Sequence, residues 1–469
     1  MVWCPGHDTR DRDPLLRGVT RAEDGGVKLL GAPVGGYEFE EQILESRLQT
    51  VQSLLDRLHL LEDPHMEYAL LRSCFSFPKF GYSLRTVDTS RHPAVLTRFD
   101  QAIRTTIEAT LGTPLTQQQW AQASLPTSTG GLGLRSAASH GAAAYLASVG
   151  ATESMVQEMR SREEITPEVG QAMESLNAQL GDHLTYEVVR VTTQRALSVQ
   201  IDAEASRRLQ ETLTSDRDKA RMKCVEREGA GDYLNAMPSK GLGLHLRKQE
   251  FIFAIRFRLG LRVFETEGDC PMPRCTIHSD AYGDHAISCA INGERIAKHN
   301  HLRDAIYGTA VQARLSPAKE PPGLLPGTDE RPADVLLPHW TEGRDTALDI
   351  TVINPLQSEL VSKVAKEGDA AVQHAYNRKM THYYDRCATE GITFIPLAVD
   401  VMGGWHKVAL ATLTRLGRQV ARTVGKEEAD AVRQLRQRLS VLLMRDNMAM
   451  LSSRAPTYPT AEVDGDDDE

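Results

Sequence analysis

Cys270, Cys275, His285 and Cys289 fall within 20 residues in the order Cys-x4-Cys-x9-His-x3-Cys. Tetrahedral zinc asks for two short-range pairs, each pinching two corners of the site, with a loop between them to close it. Four protein ligands leave no open position, so the metal is structural, and its binding supplies folding energy to a segment with few apolar residues of its own. His285 precedes Cys289 by one helical turn, which puts both on one face. His278 is a rival for the fourth corner, because Cys275-x2-His278 is also feasible. Cys4, Cys74, Cys224 and Cys387 stand apart and read as structural thiols. An odd, sparse set of seven cysteines fits a reducing compartment, where clustered thiols signal metal and not disulfides.

A second constellation is acidic. Arg331-Pro-Ala-Asp334-Val-Leu-Leu337 and Thr346-Ala-Leu-Asp349-Ile-Thr-Val352 are short strand-like runs, and Pro332 pushes Arg331 into an extended conformation. In an antiparallel hairpin centred between Thr341 and Glu342, paired residue numbers sum to 683, so Asp334 faces Asp349, Val335 faces Leu348 and Ala333 faces Ile350. One side of that ribbon is apolar and the other carries both carboxylates. Like charges about 5 Å apart destabilise a sheet unless something compensates them. A divalent cation does so, and Mg²⁺ between paired carboxylates polarises a phosphate and activates water in phosphodiester chemistry. Lys379, on a helix expected over residues 361–388 with Tyr383 one turn later, is placed to stabilise charge on an attacked phosphate. The next strand, Ile392 to Val401, carries Asp400 ahead of Gly403-Gly404-Trp405.

The chain that must position these groups has 469 residues, about three domains by length. Its net charge is −9, but six of the acids lie in Glu462–Glu469, so the remainder carries only −3 and local basic patches stay free to meet phosphates. No secretory signal and no membrane span is read from it. Leu44, Leu48, Val51, Leu55 and Leu58 recur at helical spacing until Asp63-Pro64, and further helices are expected through residues 65–86 and 94–111. Gly130-Gly131-Leu132-Gly133 lacks the third glycine and the Gly-Lys-Ser/Thr of a phosphate loop, which argues against that reading. Residues 151–262 read as helical and charged, with Leu197, Ile201, Leu209 and Leu213 on one face. Arg247, Lys248, Arg256, Arg258 and Arg262 interleave with Phe251, Phe253 and Phe257, a pattern that suits stacking on a nucleic acid strand. A last helix repeats Val432, Leu435, Leu439 and Leu442 before an acidic tail, expected to be disordered from about Ala455.

Taken together, the cysteine cluster, Lys298-His299-Asn300, Arg331-Pro-Ala-Asp334, Ala347-Leu-Asp349-Ile-Thr-Val352 and Lys379-x3-Tyr383 resemble the zinc knuckle and restriction-like endonuclease of certain non-long-terminal-repeat retrotransposons. The resemblance implies a multidomain chain: a polymerase-thumb-like remnant over 1–150, a helical linker over 151–262, a zinc knuckle over 263–290, an α/β nuclease with a mixed sheet flanked by helices over 291–424, a helix over 425–454 and a tail over 455–469. It implies structural zinc on Cys270, Cys275, His285 and Cys289, and catalytic magnesium on Asp334 and Asp349. Lys379 would be the catalytic lysine, moved from strand to helix, with Lys363 and Lys366 as substitutes. Tyr383 and Asp400 would assist, Asp400 either at the metal or as a cap. Arg256, Arg258, Arg262, Lys298, His299 and Asn300 would contact nucleic acid. The expected activity is nicking of target DNA in the nucleus for insertion, with element RNA as a further partner. Leu29-Leu-Gly-Ala-Pro33 and Gly130 to Ser136 resemble the stretch after a polymerase palm, but the sole Asp-Asp run is Asp466–Asp468. Reverse transcription is therefore not expected, and copying would need a polymerase from elsewhere. A zinc-containing nucleic-acid-binding protein without cleavage is the competing expectation.

Overall fold

In the computed structural model the leucine stripe over residues 44–58 becomes helix α1 (Tyr37–Leu55), with Leu44, Leu48, Val51 and Leu55 buried. The α-helix stops before Asp63-Pro64: Leu58, also buried, belongs to a separate 3₁₀ turn, Leu58–Leu61. The structure describes residues 25–159 and 169–454. Cys4 and the tail from residue 455, including Asp466–Asp468, lie outside the described residues. About 60% of the described chain is helical, with a small mixed sheet, and no helix in it is long and apolar enough to cross a membrane.

The described residues divide into two compact units. The first holds residues 25–62 with Glu67–Leu125 and Gly133–Leu209. Here strands β1 (Gly26–Leu29) and β2 (Ala32–Gly35) form a hairpin. Helices α2 (Phe77–Thr86), α3 (Pro93–Leu111), α4 (Ala137–Met159), α5 (Gly170–Leu180) and α6 (Gln194–Thr212) follow. Leu146, Leu176, Val189, Leu197 and Ile201 share one buried cluster, so the face predicted on α6 is core. The segment expected as a 151–262 linker is split, since its residues beyond Leu209 belong to the second unit.

That second unit comprises Asp63–Met66, Pro126–Leu132 and residues 210–454. It begins with α7 (Asp216–Val225) and α8 (Lys248–Leu259). A two-stranded ribbon, β3 (Gly268–Asp269) and β4 (His278–Ser279), precedes the short α9 (Asp284–Ser288) and the long α10 (Glu294–Gln312). Four strands then form one sheet in the order β5 (Ala318–Lys319), β6 (Val335–Thr341), β7 (Arg344–Ile353), β8 (Thr393–Asp400). The first three are antiparallel, while β8 runs parallel to β7 after a crossover through α11 (Ala370–Thr389). Six consecutive residues of β7, Thr346 to Thr351, are buried, the pattern of a strand covered on both faces.

Helices α12 (Lys407–Val424) and α13 (Glu428–Ser452) complete the unit. They approach so closely that a Cβ on Gly417 would lie 2.9 Å from Val432 Cα. Gly417→Ala is expected to lower stability by about 1–2 kcal/mol, the overpacking cost outweighing the gain in helix propensity. A downward shift of the urea midpoint at unchanged slope would register it.

A buried histidine gives this unit an acid-side weakness. His65 is fully buried, its Nδ1 accepts the Leu246 N–H at 3.1 Å, and its ring stacks on Phe251. Burial and nearby His245 pull it down to about 4. Between pH 6.5 and 4 the unfolded chain takes up a proton that the native state refuses, so stability falls with pH across that window by about 3 kcal/mol. His65→Asn should remove that share of the slope, read as the difference between variant and parent in urea titrations at pH 7 and pH 4.5.

Candidate functional site

The Cys/His cluster assembles from local geometry. Asp280 accepts the backbone N–H groups of Tyr282, Asp284 and His285 at 2.9, 3.1 and 2.8 Å, which starts α9 and aims His285 inward. Cys289 closes that turn, its N–H donating to the His285 carbonyl at 2.8 Å. Ligand atoms of Cys270, Cys275, His285 and Cys289 all lie within 4.8 Å of one another, and Cys275 Sγ is 3.4 Å from His285 Nε2. Zinc–sulfur bonds near 2.3 Å in a tetrahedron place ligands about 3.6–3.8 Å apart, so the four side chains could hold a zinc ion. The rival is out of place: His278 is exposed on β4 and pairs with Glu267 at 3.6 Å.

Burial pushes the Cys270 thiol up to about 11. Cys289 moves down because, against burial, the Ile291 amide and the Arg454 guanidinium support its thiolate. Arg454, 2% exposed at the end of α13, also donates to the Ile291 carbonyl at 2.8 Å and to Glu294 at 2.7 Å. Nothing in the cysteine spacing announces this outer partner.

The hairpin register at the acids is the expected one. Val335 pairs with Leu348, Leu336 with Ala347 and Leu337 with Thr346, while the Asp334 N–H donates to Leu348 O at 2.9 Å. The turn itself is Glu342-Gly343, both with positive φ, which pairs Thr341 with Arg344 instead of Glu342. A bulge between Leu337 and Thr341, containing Pro338, absorbs the offset.

Asp334 and Asp349 are both buried, at 9% and 4% exposure. Asp334 Oδ2 accepts the Ile350 N–H at 2.6 Å and meets His299 Nε2 at 3.0 Å. Lys379 Nζ donates to Asp349 Oδ1 at 3.0 Å, whereas Asp349 Oδ2 is buried with no hydrogen-bond partner. Burial pushes Asp349 up to about 6, against the pull of Lys379 and with a push from Asp334. Of Lys363, Lys366 and Lys379, only Lys379 reaches a carboxylate of the pair; Lys363 and Lys366 are exposed.

Tyr383 stands behind Lys379. The ammonium is 5.7 Å from its ring, and the ring packs beside Phe394. Glu330, which also interacts with Tyr383, accepts from His382 Nε2 and Arg386 Nη1, both at 2.9 Å, and so ties α11 to the segment leading into Asp334.

Several expected roles are corrected by placement. Asp400 lies four residues along β8 from Pro396, the partner of Asp349, or about 13 Å away at strand rise. It is fully buried, pairs with Arg227 at 2.6 Å and accepts the Met402 and Gly404 N–H groups, so it caps a turn and does not join the carboxylate pair. Arg258 is 2% exposed and donates to the carbonyls of Gly131, Ala230 and Thr127, which makes it an internal clamp on the Gly130-Gly131 turn and not a strand contact. Phe251, Phe253 and Phe257 are core residues, so the stacking platform predicted on α8 is absent; Arg256 is half-buried and Arg262 exposed, donating to Glu265 O. Lys298 is buried on α10 with its Nζ on Asn447 Oδ1 at 2.7 Å, and burial takes its amine down to about 7. Asn300 accepts from Arg303 Nη1 at 3.0 Å and steadies His299 at 3.3 Å, while His299 holds Asp334.

A cleft of about 770 Å³ opens beside the pair, lined by His299, Lys379 and the Ile350–Asn354 end of β7. Exposed Arg295, Lys363, His374 and Arg378 rim it, with Glu359 as its single acid. Apart from Lys363, these rim residues were not anticipated; the i, i+4 spacing of His374 and Arg378 beside Lys379 was the available signal. The chain matches no family model and no curated protein sequence.

Proposed function

We propose that the chain is a Mg²⁺-dependent endonuclease that nicks DNA, of the kind carried by non-long-terminal-repeat retrotransposons and acting in the nucleus. The observation that carries the reading is the buried Asp334–Asp349 pair with Lys379 on Asp349, Lys379 itself lining a basic cleft. Oxygen-only donors suit magnesium, and the orphaned Asp349 Oδ2 is a buried acceptor that a cation would satisfy. Asp334 and Asp349 would hold the ion, which supplies Lewis-acid polarisation of a phosphate and an acidified water. His299 and the Ile350 amide fix the Asp334 carboxylate. Lys379 offsets charge at Asp349 and faces the cleft, where it is placed to stabilise negative charge building on a phosphate. The exposed bases along the rim neutralise a strand backbone.

One observation favours a second reading, a zinc-containing nucleic-acid-binding protein without cleavage. Each carboxylate already has a cation or imidazole of the chain's own against it. A nicking assay on supercoiled plasmid with Mg²⁺ separates the two. The intact chain should convert it to open circles, and Asp334→Ala and Asp349→Ala should not; equal activity in all three would eliminate this site, and salt-sensitive binding without nicking would favour the second reading.

A further inference from the structure

The zinc-ligand loop and the candidate cleft share a wall. Ile287 and Ser288, between ligands His285 and Cys289, and Ala290 just after them line the same cleft as His299 and Lys379. Asn354, 4% exposed and next after β7, spans the two. Its Nδ2 donates to the Asp284 carbonyl at 2.9 Å and to Ser288 Oγ at 2.6 Å, while its Oδ1 accepts the Leu356 N–H at 3.0 Å. A single amide thus joins the turn that presents two of the four ligands to the end of the strand that presents Asp349.

We propose that Asn354 is a positioning residue that couples the zinc centre to the cleft, so that zinc retention and cleft occupancy by a DNA strand are linked. The second half of this rests on the reading of the cleft as a DNA site. With its five residues, α9 is too short to persist alone, and its ends are held by ligands on one side and by Asn354 on the other. Loss of the ion frees the turn, removes both acceptors from a buried amide and loosens the cleft wall and the end of β7 together. Linkage requires the converse: a strand that fills the cleft and presses on Ile287 and Ser288 must tighten zinc binding by the same factor.

The test uses the full chain loaded with zinc. The equilibrium partition of zinc between the chain and the chromogenic chelator pyridylazoresorcinol is measured with and without a saturating DNA duplex of roughly 30 base pairs, in Ca²⁺ to withhold cleavage. DNA is expected to raise the zinc affinity about fivefold or more, the lower end of ordinary coupling factors. Asn354→Asp keeps the acceptor for Leu356 and loses both donors, and should reduce the effect to under about twofold. Hydrogen exchange supplies a readout that needs neither DNA nor cleavage. Stripping zinc should raise exchange across residues 350–357 in the parent, and Asn354→Asp should show that raised exchange with zinc still bound. If Asn354→Asp does not fold, Ser288→Ala, which deletes one acceptor, should show a partial loss of coupling. A chain that takes up no zinc, unchanged exchange across 350–357 on stripping, or full coupling in the variants overturns the proposal. A chain that binds zinc but no DNA overturns the DNA reading, and exchange alone then decides whether Asn354 couples the centre to the strand.

Discussion

Asp349→Asn is expected to cut Mg²⁺-dependent nicking at least about 10³-fold, a barrier increase of roughly 4 kcal/mol. The asparagine is nearly isosteric, so the pocket is kept while the negative charge that would hold the cation is lost. The buried carboxylate is itself costly, because burial pushes it up to about 6 despite Lys379 at 3.0 Å. Replacing it should therefore leave the melting temperature unchanged or higher, the usual signature of a charge retained for function against stability. Lys379→Met should lose much of the same activity, and the double variant little more than either single one, since groups acting on one transition state are not additive. Time courses on supercoiled plasmid, with circular dichroism to confirm the fold, give both readouts. Undiminished nicking by a folded Asp349→Asn would place the chemistry elsewhere.

Asp400→Ala should do the reverse. Asp400 is fully buried, and its removal strands the Arg227 guanidinium and two backbone N–H groups at the Met402–Gly404 turn. Breaking a buried pair on one side costs about 3–5 kcal/mol, most of it the uncompensated charge left behind. Chemical denaturation should show that loss. Activity per folded molecule should stay within about twofold, because Asp400 sits roughly 13 Å along the sheet from Asp349. Pairing Asp400→Leu with Arg227→Met should recover much of the stability, since an apolar pair carries no desolvation cost. Severe loss of activity in folded Asp400→Ala would return this residue to the site.

These two aspartates also mark what could be read from sequence. The partner of Asp349 across the ribbon was legible because strand alternation and a short turn fix register within 15 positions, even though the turn lay one residue away and a bulge made up the difference. The Cys/His cluster that could hold zinc was legible for the same reason: its members sit within 20 residues, and one helical turn orients two of them. For Asp400 the sequence left a metal role and a capping role open, because its partner, Arg227, is 173 positions away. Arg258 and its neighbouring phenylalanines look like a basic, aromatic surface until the carbonyls of Thr127, Gly131 and Ala230, from distant parts of the chain, close around the guanidinium. His299 was noticed as part of a motif, but its contact with Asp334 spans 35 residues and depends on how α10 packs on the sheet. Lys379 was singled out by the resemblance of Lys379-x3-Tyr383 to the nuclease motif, whereas the basic rim depends on a crossover helix returning beside β7.

Arg454 carries a consequence for biosynthesis. The Cys/His ligands lie at residues 270–289, yet the guanidinium that braces Cys289, Ile291 and Glu294 arrives more than 160 positions later, at the end of α13. During translation the candidate metal-binding loop leaves the ribosome long before its brace exists, so any ion it captured early would be held by a half-built shell. Firm metallation would wait for residue 454, and nascent chains arrested before it should exchange zinc with the surrounding pool far faster than chains that include it.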